Sequence, residues 1–309
     1  MMKNKVDIIV VGSHAPGIFV RVKRIPKAGE TVIGWDFHEP KDGGKGSNQA
    51  IAASLLEGKT SFVGCFGHDR IGDEGKKWLE EAGVDTTWIK FHETISSGVG
   101  FILLDENGIP AMVTSMGANA KLNKGDVEKA INAQSDAKVL LTQFEIPIDV
   151  SLHAAKIAKS LGMISIVNPG PAPEKPVSGL DSATILIPNE SEAQILLGQE
   201  PTEKFDAEIL VKSLKTRFNL STVIITLGNE GIIGIDDEGI WKQQAIKVNV
   251  TDTSGAGDVF CSALAVGIVN GKSIRDASIW ACKVAGLSVS KQGTISSYPT
   301  LKEVNSIIK

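Results

Sequence analysis

This chain of 309 residues has no CxxC pair, no HExxH-type histidine spacing and no long apolar run. Its three cysteines, Cys65, Cys261 and Cys282, are scattered, which argues against a metal cluster or a disulfide framework. A reducing compartment suits such thiols, so a cytoplasmic location is expected. The histidine spacing removes the zinc hydrolases. The opening "MMKNKVDIIVVG" is too short and too interrupted for a signal peptide and reads as a first strand. No stretch has the length and apolarity to span a bilayer. A net charge of −4 offers no broad basic surface, so neither nucleic acid nor an anionic membrane is expected as a partner. Walker loops are missing too: Gly58–Lys59 and Gly271–Lys272 are each followed by Thr or Ser, but Ala53 and Val266 stand where the upstream glycine belongs. No GxGxxG follows the first strand, which weakens a dinucleotide site. Repeats, low-complexity tracts and long linkers are also absent.

What is present is an alternation. Short β-branched runs at 6–12, 59–67, 137–143, 163–168, 183–188 and 222–228 are almost continuously apolar, as strands covered on both faces should be. Amphipathic segments such as 71–83 and 149–162 lie between them. Strand, helix, strand predicts a mostly parallel α/β sheet flanked by helices. Two regions break the rhythm. Residues 14–42 carry turn residues without a long helix, and in 91–117 two apolar runs flank "DENG", the pattern of a hairpin. Both read as antiparallel strands inserted to form a small β-lid, leaving 1–13, 43–90 and 118–309 as the α/β core.

Three glycine-rich segments could cradle phosphate. "TSGAGD" precedes "VFCSALAVGIV", apolar nearly all round and so a buried helix. Small residues at a helix start leave amides uncovered, and with the helix dipole these form an anion site. The same glycines serve equally well as a tight turn. "DGGKGSNQA" again precedes a helical pattern; its Lys45 is a ligand contact or a solvated turn lysine. "TLGNEG" follows a strand directly, where open α/β sheets bind ligands, or is an ordinary loop.

Together "GGKGSN", "NESE", "TLGNEG" and "DTSGAGD", in this order and spacing, resemble the ribokinase-like (PfkB) carbohydrate kinases, most of all the ribokinase branch. "GETVIG", "QFE", "NPGPA" and "QGTISSYP" extend the likeness over nearly the whole chain. The resemblance implies a three-layer fold with a β-lid and transfer of a phosphoryl group from ATP to a sugar hydroxyl. It implies Asp258 as general base and Gly255, Ala256 and Gly257 as the anion hole. Gly44, Lys45, Asn48 and Glu145 match sugar contacts, as Asp258 does. Asn189 and Glu192 match an NxxE motif that organises Mg2+ and phosphate, and Thr226, Gly228 and Gly231 match nucleotide contacts. Asp252, Ser254, Ser288, Lys291, Gly293 and Ser297 match a site for K+ or another monovalent cation. Dimerisation through the lid is implied as well. The same chemistry on a nucleoside, a modified sugar or a polyol is an alternative, as is a binding protein without turnover; the intact Asp258 and anion hole speak against the last.

The chain departs from the family in one place. Counting from Gly12, the position of a sugar-gripping aspartate holds Gly17, and that of an asparagine two residues earlier holds Ala15. Losing the aspartate alone should weaken ribose by roughly 10- to 100-fold. The two small residues should also open space at one end of the pocket, with Asp42 and His14 as the neighbours able to compensate. An altered preferred acceptor follows as the expectation.

Overall fold

The computed structural model describes residues 5–308; residues 1–4 and 309, assigned above to the core, lie outside the described residues. Among the described residues nine strands form one sheet. Its centre is β1 (Ile8–Val11), flanked by β4 (Thr60–Gly67) and β8 (Val139–Gln143), all parallel. Beyond β4 lies β5 (Asp85–His92). Beyond β8 follow β9 (Ile164–Asn168), the two-residue β10 (Ile185–Leu186) and β11 (Thr222–Thr226), still parallel. Only β12 (Ile232–Asp236) and β13 (Gly239–Gln243), joined by a tight turn, run antiparallel at the edge.

Both faces of this sheet are covered. Ile8 and Val10 of β1 pack into one apolar cluster with α1 (Gly44–Leu55), α7 (Ala256–Val269) and α8 (Ile274–Ser288). Ile9 and Val11 pack into another with α3 (Lys124–Asn132) and α4 (Ile148–Ser160). Strand alternation sends successive side chains to opposite faces, so a strand buried on both reads as a continuous apolar run. Helix α7 is buried from Asp258 to Gly267, which accounts for its apolar circumference.

A second sheet has the order β3 (Gly34–His38), β2 (Gly17–Val22), β6 (Val99–Leu104), β7 (Pro110–Ser115). The hairpin around "DENG" forms as expected. The expectation of antiparallel insertions needs one correction: the central pair, β2 with β6, is parallel. β2 continues the chain from β1, and β6 from β5. Those strands run the same way in the main sheet, so their continuations enter the lid in the same direction. β5 reaches His92, and Gly117 opens a short helical turn packed on β4, so the lid's strands occupy the middle of the two inserted ranges.

Candidate active site

The N-terminus of α7 faces the carboxyl ends of the parallel strands. Gly255 caps the helix at φ +75°, a left-handed turn suited to glycine. Its Cβ would also lie 2.5 Å from Tyr298 Oη. Ala256 N is drawn back to Thr253 O at 3.3 Å, whereas the amides of Gly257 and Asp258 have no partner among the described residues. Nothing stands within 4 Å of where a Gly257 Cβ would be. Two free amides at a helix start, opening on clear space, suit an anion. Behind them Asp258 is 6 % exposed. Gln49 Nε2 donates to its Oδ1 at 2.9 Å and Asn48 Nδ2 to its Oδ2 at 3.4 Å. Burial pushes its pKa up to about 6, against the pull of Lys45 and Gln49.

The turn before α1 brings the second set together. Gly44 takes φ +70°, and its Cβ would meet Glu145 Oε2 at 3.0 Å, so the backbone turns hard against the end of β8. Glu145 Oε2 accepts from Lys45 N at 2.8 Å and from Ser13 Oγ at 2.6 Å. Lys45 is partly buried. Burial opposes its charge, but Asp258, Glu145 and Glu192 outweigh burial and hold the ammonium protonated well above its usual range. Asn48 Nδ2 donates to Asp42 Oδ1 at 2.7 Å, so one amide spans Asp42 and Asp258.

Asp42 corrects the reading of Gly17. The space there is not open: a Cβ on Gly17 would sit 3.0 Å from both Ile102 Cδ1 and Phe19 Cε2, and 3.3 Å from Asp42 Oδ2. Asp42 Oδ2 also accepts from Gly17 N at 3.3 Å. A carboxylate thus reaches from the α1 turn to the position where the chain itself has none. His14 does not compensate. Its ring is buried against Phe66 and Trp78, bonded to Ser47 Oγ and Ile71 O, and burial lowers its pKa to about 4. It is a neutral packing group whose ring fills the space a Gly75 side chain would need.

The other matched residues fall at neighbouring strand ends. Asn189 caps α5 (Glu190–Leu196) by accepting from Glu192 N at 2.8 Å, and Glu192 Oε2 accepts from Asn189 N at 2.9 Å. This reciprocal capping box is a structural role for the pair. It leaves Glu192 Oε1 free beside Lys45, the two crowding Gly170. Thr226 ends β11 and bridges to Asn189. Gly228 and Gly231 both have positive φ, and a Gly231 Cβ would lie 2.0 Å from Gln243 O. Asp252 lies apart from these. Its Oδ1 accepts from Ser254 N and its Oδ2 from Gly293 N, each at 2.9 Å, and the buried Ser288 and Ser297 belong to the segments it ties together. Lys291 turns outward to Glu303. The donor set on offer is a carboxylate, backbone carbonyls and hydroxyls, all hard oxygens that suit an alkali cation.

Several contributors escaped the sequence reading. Gln49 is fully buried, donates to Asp258 and Asn168, and accepts from Gln143. A glutamine directly ahead of the largely apolar run "AIAASLL" is the signal that could have found it. Ser13 buttresses Glu145. Tyr298 is buried at 4 % exposure, and burial plus the Asp258 and Asp42 carboxylates keep its phenol protonated.

A buried carboxylate behind two unpartnered helix-start amides suits transfer of a phosphoryl group to a hydroxyl. The family follows from comparison: the profile of the pfkB family carbohydrate kinases matches residues 20–301, and the chain belongs to that family. It is an ATP-dependent carbohydrate kinase of ribokinase-like fold. It is 33 % identical to the ribokinase of Schizosaccharomyces pombe, over 97 % of each chain. The deoxyribokinase of Salmonella typhi is 32 % identical over the same shares. Among solved structures, Arabidopsis thaliana ribokinase complexed with ribose and ATP superposes with a TM-score of 0.88, at 31 % identity over 99 % of both chains. No helix of the described residues is long and apolar enough to cross a membrane.

Proposed function

We propose that the chain phosphorylates a hydroxyl of a ribose-type pentose, with Asp258 as general base. One observation carries this: Asp258 is buried directly behind two unpartnered amides, and Asn48 links it to Asp42 at the sugar end. A carboxylate there accepts the proton of the attacking hydroxyl as the phosphoryl group arrives. The amides of Gly257 and Asp258, with Gly255 fixing the turn, stabilise the charge on the transferring group without reorganisation. Lys45 adds a fixed positive charge, and Glu145 holds its backbone in place. Asp42 supplies the carboxylate that position 17 lacks, which supports ribose or 2-deoxyribose as acceptor over a bulkier one.

ATP would lie along the ends of β10 and β11, against Thr226, Gly228 and Gly231. Glu192, through its free oxygen, and Asn189 would hold Mg2+, which supplies charge neutralisation between the phosphates. Asp252 with the 288–297 segment would hold K+, which supplies a charge that orders the loop before α7. The exposed apolar side chains of the lid support a homodimer formed there. The test is a coupled assay of ADP release across pentoses, hexoses, polyols and nucleosides. Ribose or 2-deoxyribose as best acceptor is expected. A nucleoside or hexose preferred over both would overturn the acceptor assignment, and no turnover with any would overturn the kinase.

A further inference from the structure

Three buried amides stand together behind Asp258. Gln143 ends β8 and Asn168 ends β9, side by side in the sheet, and Gln49 meets them from α1. Gln49 and Gln143 have no exposure, and Asn168 has 8 %. Side chains of this kind are seldom so deep unless their hydrogen bonds are met. Leucine or methionine would fill the same space with no polar group to bury.

The bonds among the three run one way. Asn168 Nδ2 donates to Ile187 O at 2.9 Å, a carbonyl that can only accept. Asn168 Oδ1 therefore faces Gln49, and Gln49 Nε2 donates to it at 3.3 Å. The same Nε2 donates at 2.9 Å to Asp258 Oδ1, which as a carboxylate oxygen also only accepts. Gln49 Oε1 is left to accept, and Gln143 Nε2 supplies the bond. Gln143 Oε1 then has no partner among the described residues. Turning that amide over would set its oxygen against Gln49 Oε1. An unmet oxygen at Gln143 is the consequence of keeping a donor on Asp258. The backbone holds the same pair together: Ser262, one turn beyond Asp258 in α7, places its Oγ 2.8 Å from Gln49 O and 2.7 Å from Asp258 O.

The other oxygen of Asp258 is placed differently. Among the described residues Oδ2 accepts one long hydrogen bond, from Asn48 Nδ2 at 3.4 Å, on the side where Asn48 also meets Asp42. One oxygen is held by a donor locked in place, and the other is not.

We propose that Gln49 is the positioning residue of Asp258: locked by Asn168 and Gln143, it holds Oδ1 and leaves Oδ2 as the oxygen that takes the acceptor's proton. This rests on the sugar-kinase reading above and adds to it which oxygen acts and what holds it. In the step, the acceptor O–H bond breaks and its proton passes to Oδ2. The electron pair stays with the oxygen, which bonds to the γ-phosphorus, and the bond from phosphorus to ADP breaks with its pair leaving on ADP. Gln49 also bears on when the carboxylate is ionised. Burial raises the pKa of Asp258; Lys45 and then the Gln49 donor pull it back, while Glu145 and Asp42 push it up. Cys261 and Tyr298, the other titratable groups in its field, are kept neutral by burial. Without the Gln49 donor one of the two opposing pulls is gone, so Asp258 should titrate higher.

The experiment compares wild type with Gln49→Met, which keeps the volume and removes the donor, and with Gln49→Glu, which keeps the shape. Rates at saturating ATP and the best acceptor are followed from pH 5 to 9, with thermal unfolding alongside. A hydrogen bond to a charged group is worth about one to two pKa units. The acid limb of kcat should move up by that much in Gln49→Met and at least as far in Gln49→Glu. At neutral pH kcat should fall by roughly 3- to 30-fold, with part of the loss recovered in alkali. KM for acceptor and for ATP should stay within about threefold. Gln143→Met, which leaves the Gln49 donor in place, should move the limb less. A loss of equal size at every pH assigns Gln49 to packing and overturns the proposal, as does an unmoved limb or a loss confined to KM. Crystals of wild type with the acceptor and a non-hydrolysable ATP analogue test the assignment whether or not the variants fold. The attacking hydroxyl should lie within hydrogen-bond reach of Oδ2 with Gln49 on Oδ1, and a hydroxyl on Oδ1 in place of Gln49 overturns it. Wild type that phosphorylates a sugar while Gln49→Met keeps its pH profile sinks only this inference. Wild type that phosphorylates no acceptor sinks the kinase reading with it.

Discussion

The floor of the site and the lid above it are built on opposite terms. On the floor, apolar residues are closed off by the chain itself: Ile8 to Val11 and Leu140 to Leu141 have no exposure, and Asn48 and Gln49 tie the Asp42 and Asp258 carboxylates above them. In the lid, Ile33 is 91 % exposed and Val113 65 %. One face of the lid turns inward, where Ile102 and Phe19 pack beside Asp42. Alternation sends Phe101 and Val113, paired across β6 and β7, to the other face, and both are exposed. The floor is complete within one chain. The lid carries an apolar outer face and free strand edges that a second copy would cover.

The sharpest way to separate the two is to strike only the floor. Asp258→Asn should lower kcat by about 10²- to 10⁴-fold, the range for a general base. Tm should stay close to wild type, because Glu145 and Glu192 still neutralise Lys45. Steady-state kinetics with unfolding curves check it; an Asn variant within tenfold of wild-type kcat would remove Asp258 as base. Striking only the lid is the converse. Phe101→Glu puts a charge on the outer face and should weaken self-association by roughly 30-fold, a hot-spot loss. Light scattering reads this, and a wild type that is monomeric at micromolar concentration would end the dimer proposal.

Acid should discriminate next. The proposed base must be ionised to accept a proton, and burial pushes the pKa of Asp258 up to about 6, so kcat/KM should fall about tenfold per unit below that, while the proposed lid dimer should be unaffected. The stability effect has the opposite sense. The folded pKa lies above the ordinary 3.8, so between those values the folded protein holds the extra proton. This group's contribution to stability therefore declines as pH rises through the window and is level above it. A pH–rate profile flat to pH 5 would contradict the buried, raised carboxylate. The smallest effect is on the loop between the regions. Replacing K+ by a large organic cation at matched ionic strength should lower the rate several-fold without changing oligomeric state. Equal rates would leave Asp252 with only its loop-tying role.

Much of the fold was legible from the alternation of apolar runs, since a strand buried on both faces has no polar face to show. The hairpin at "DENG" and the helix after "TSGAGD" were legible for similar reasons: turn chemistry and an unbroken apolar circumference. The parallel pairing of β2 with β6 was not, because it depends on the direction of two strands far apart in sequence. Gly17 shows the limit most clearly. The sequence reports that position 17 has no side chain, and open space was the natural reading. Asp42, from 25 residues away, brings its carboxylate to that place.

The sequence by itself therefore determined the class of fold, the order of the glycine turns and the place of Asp258 just after one of them, because each depends on local pattern and ordered spacing. The tertiary structure alone decided which groups share the pocket. It turned His14 into the core, set Gln49 against Asp258, and brought Asp42 to Asn48 and to the backbone of Gly17. Contact between side chains remote in sequence is fixed by packing, and no local pattern in the chain encodes it.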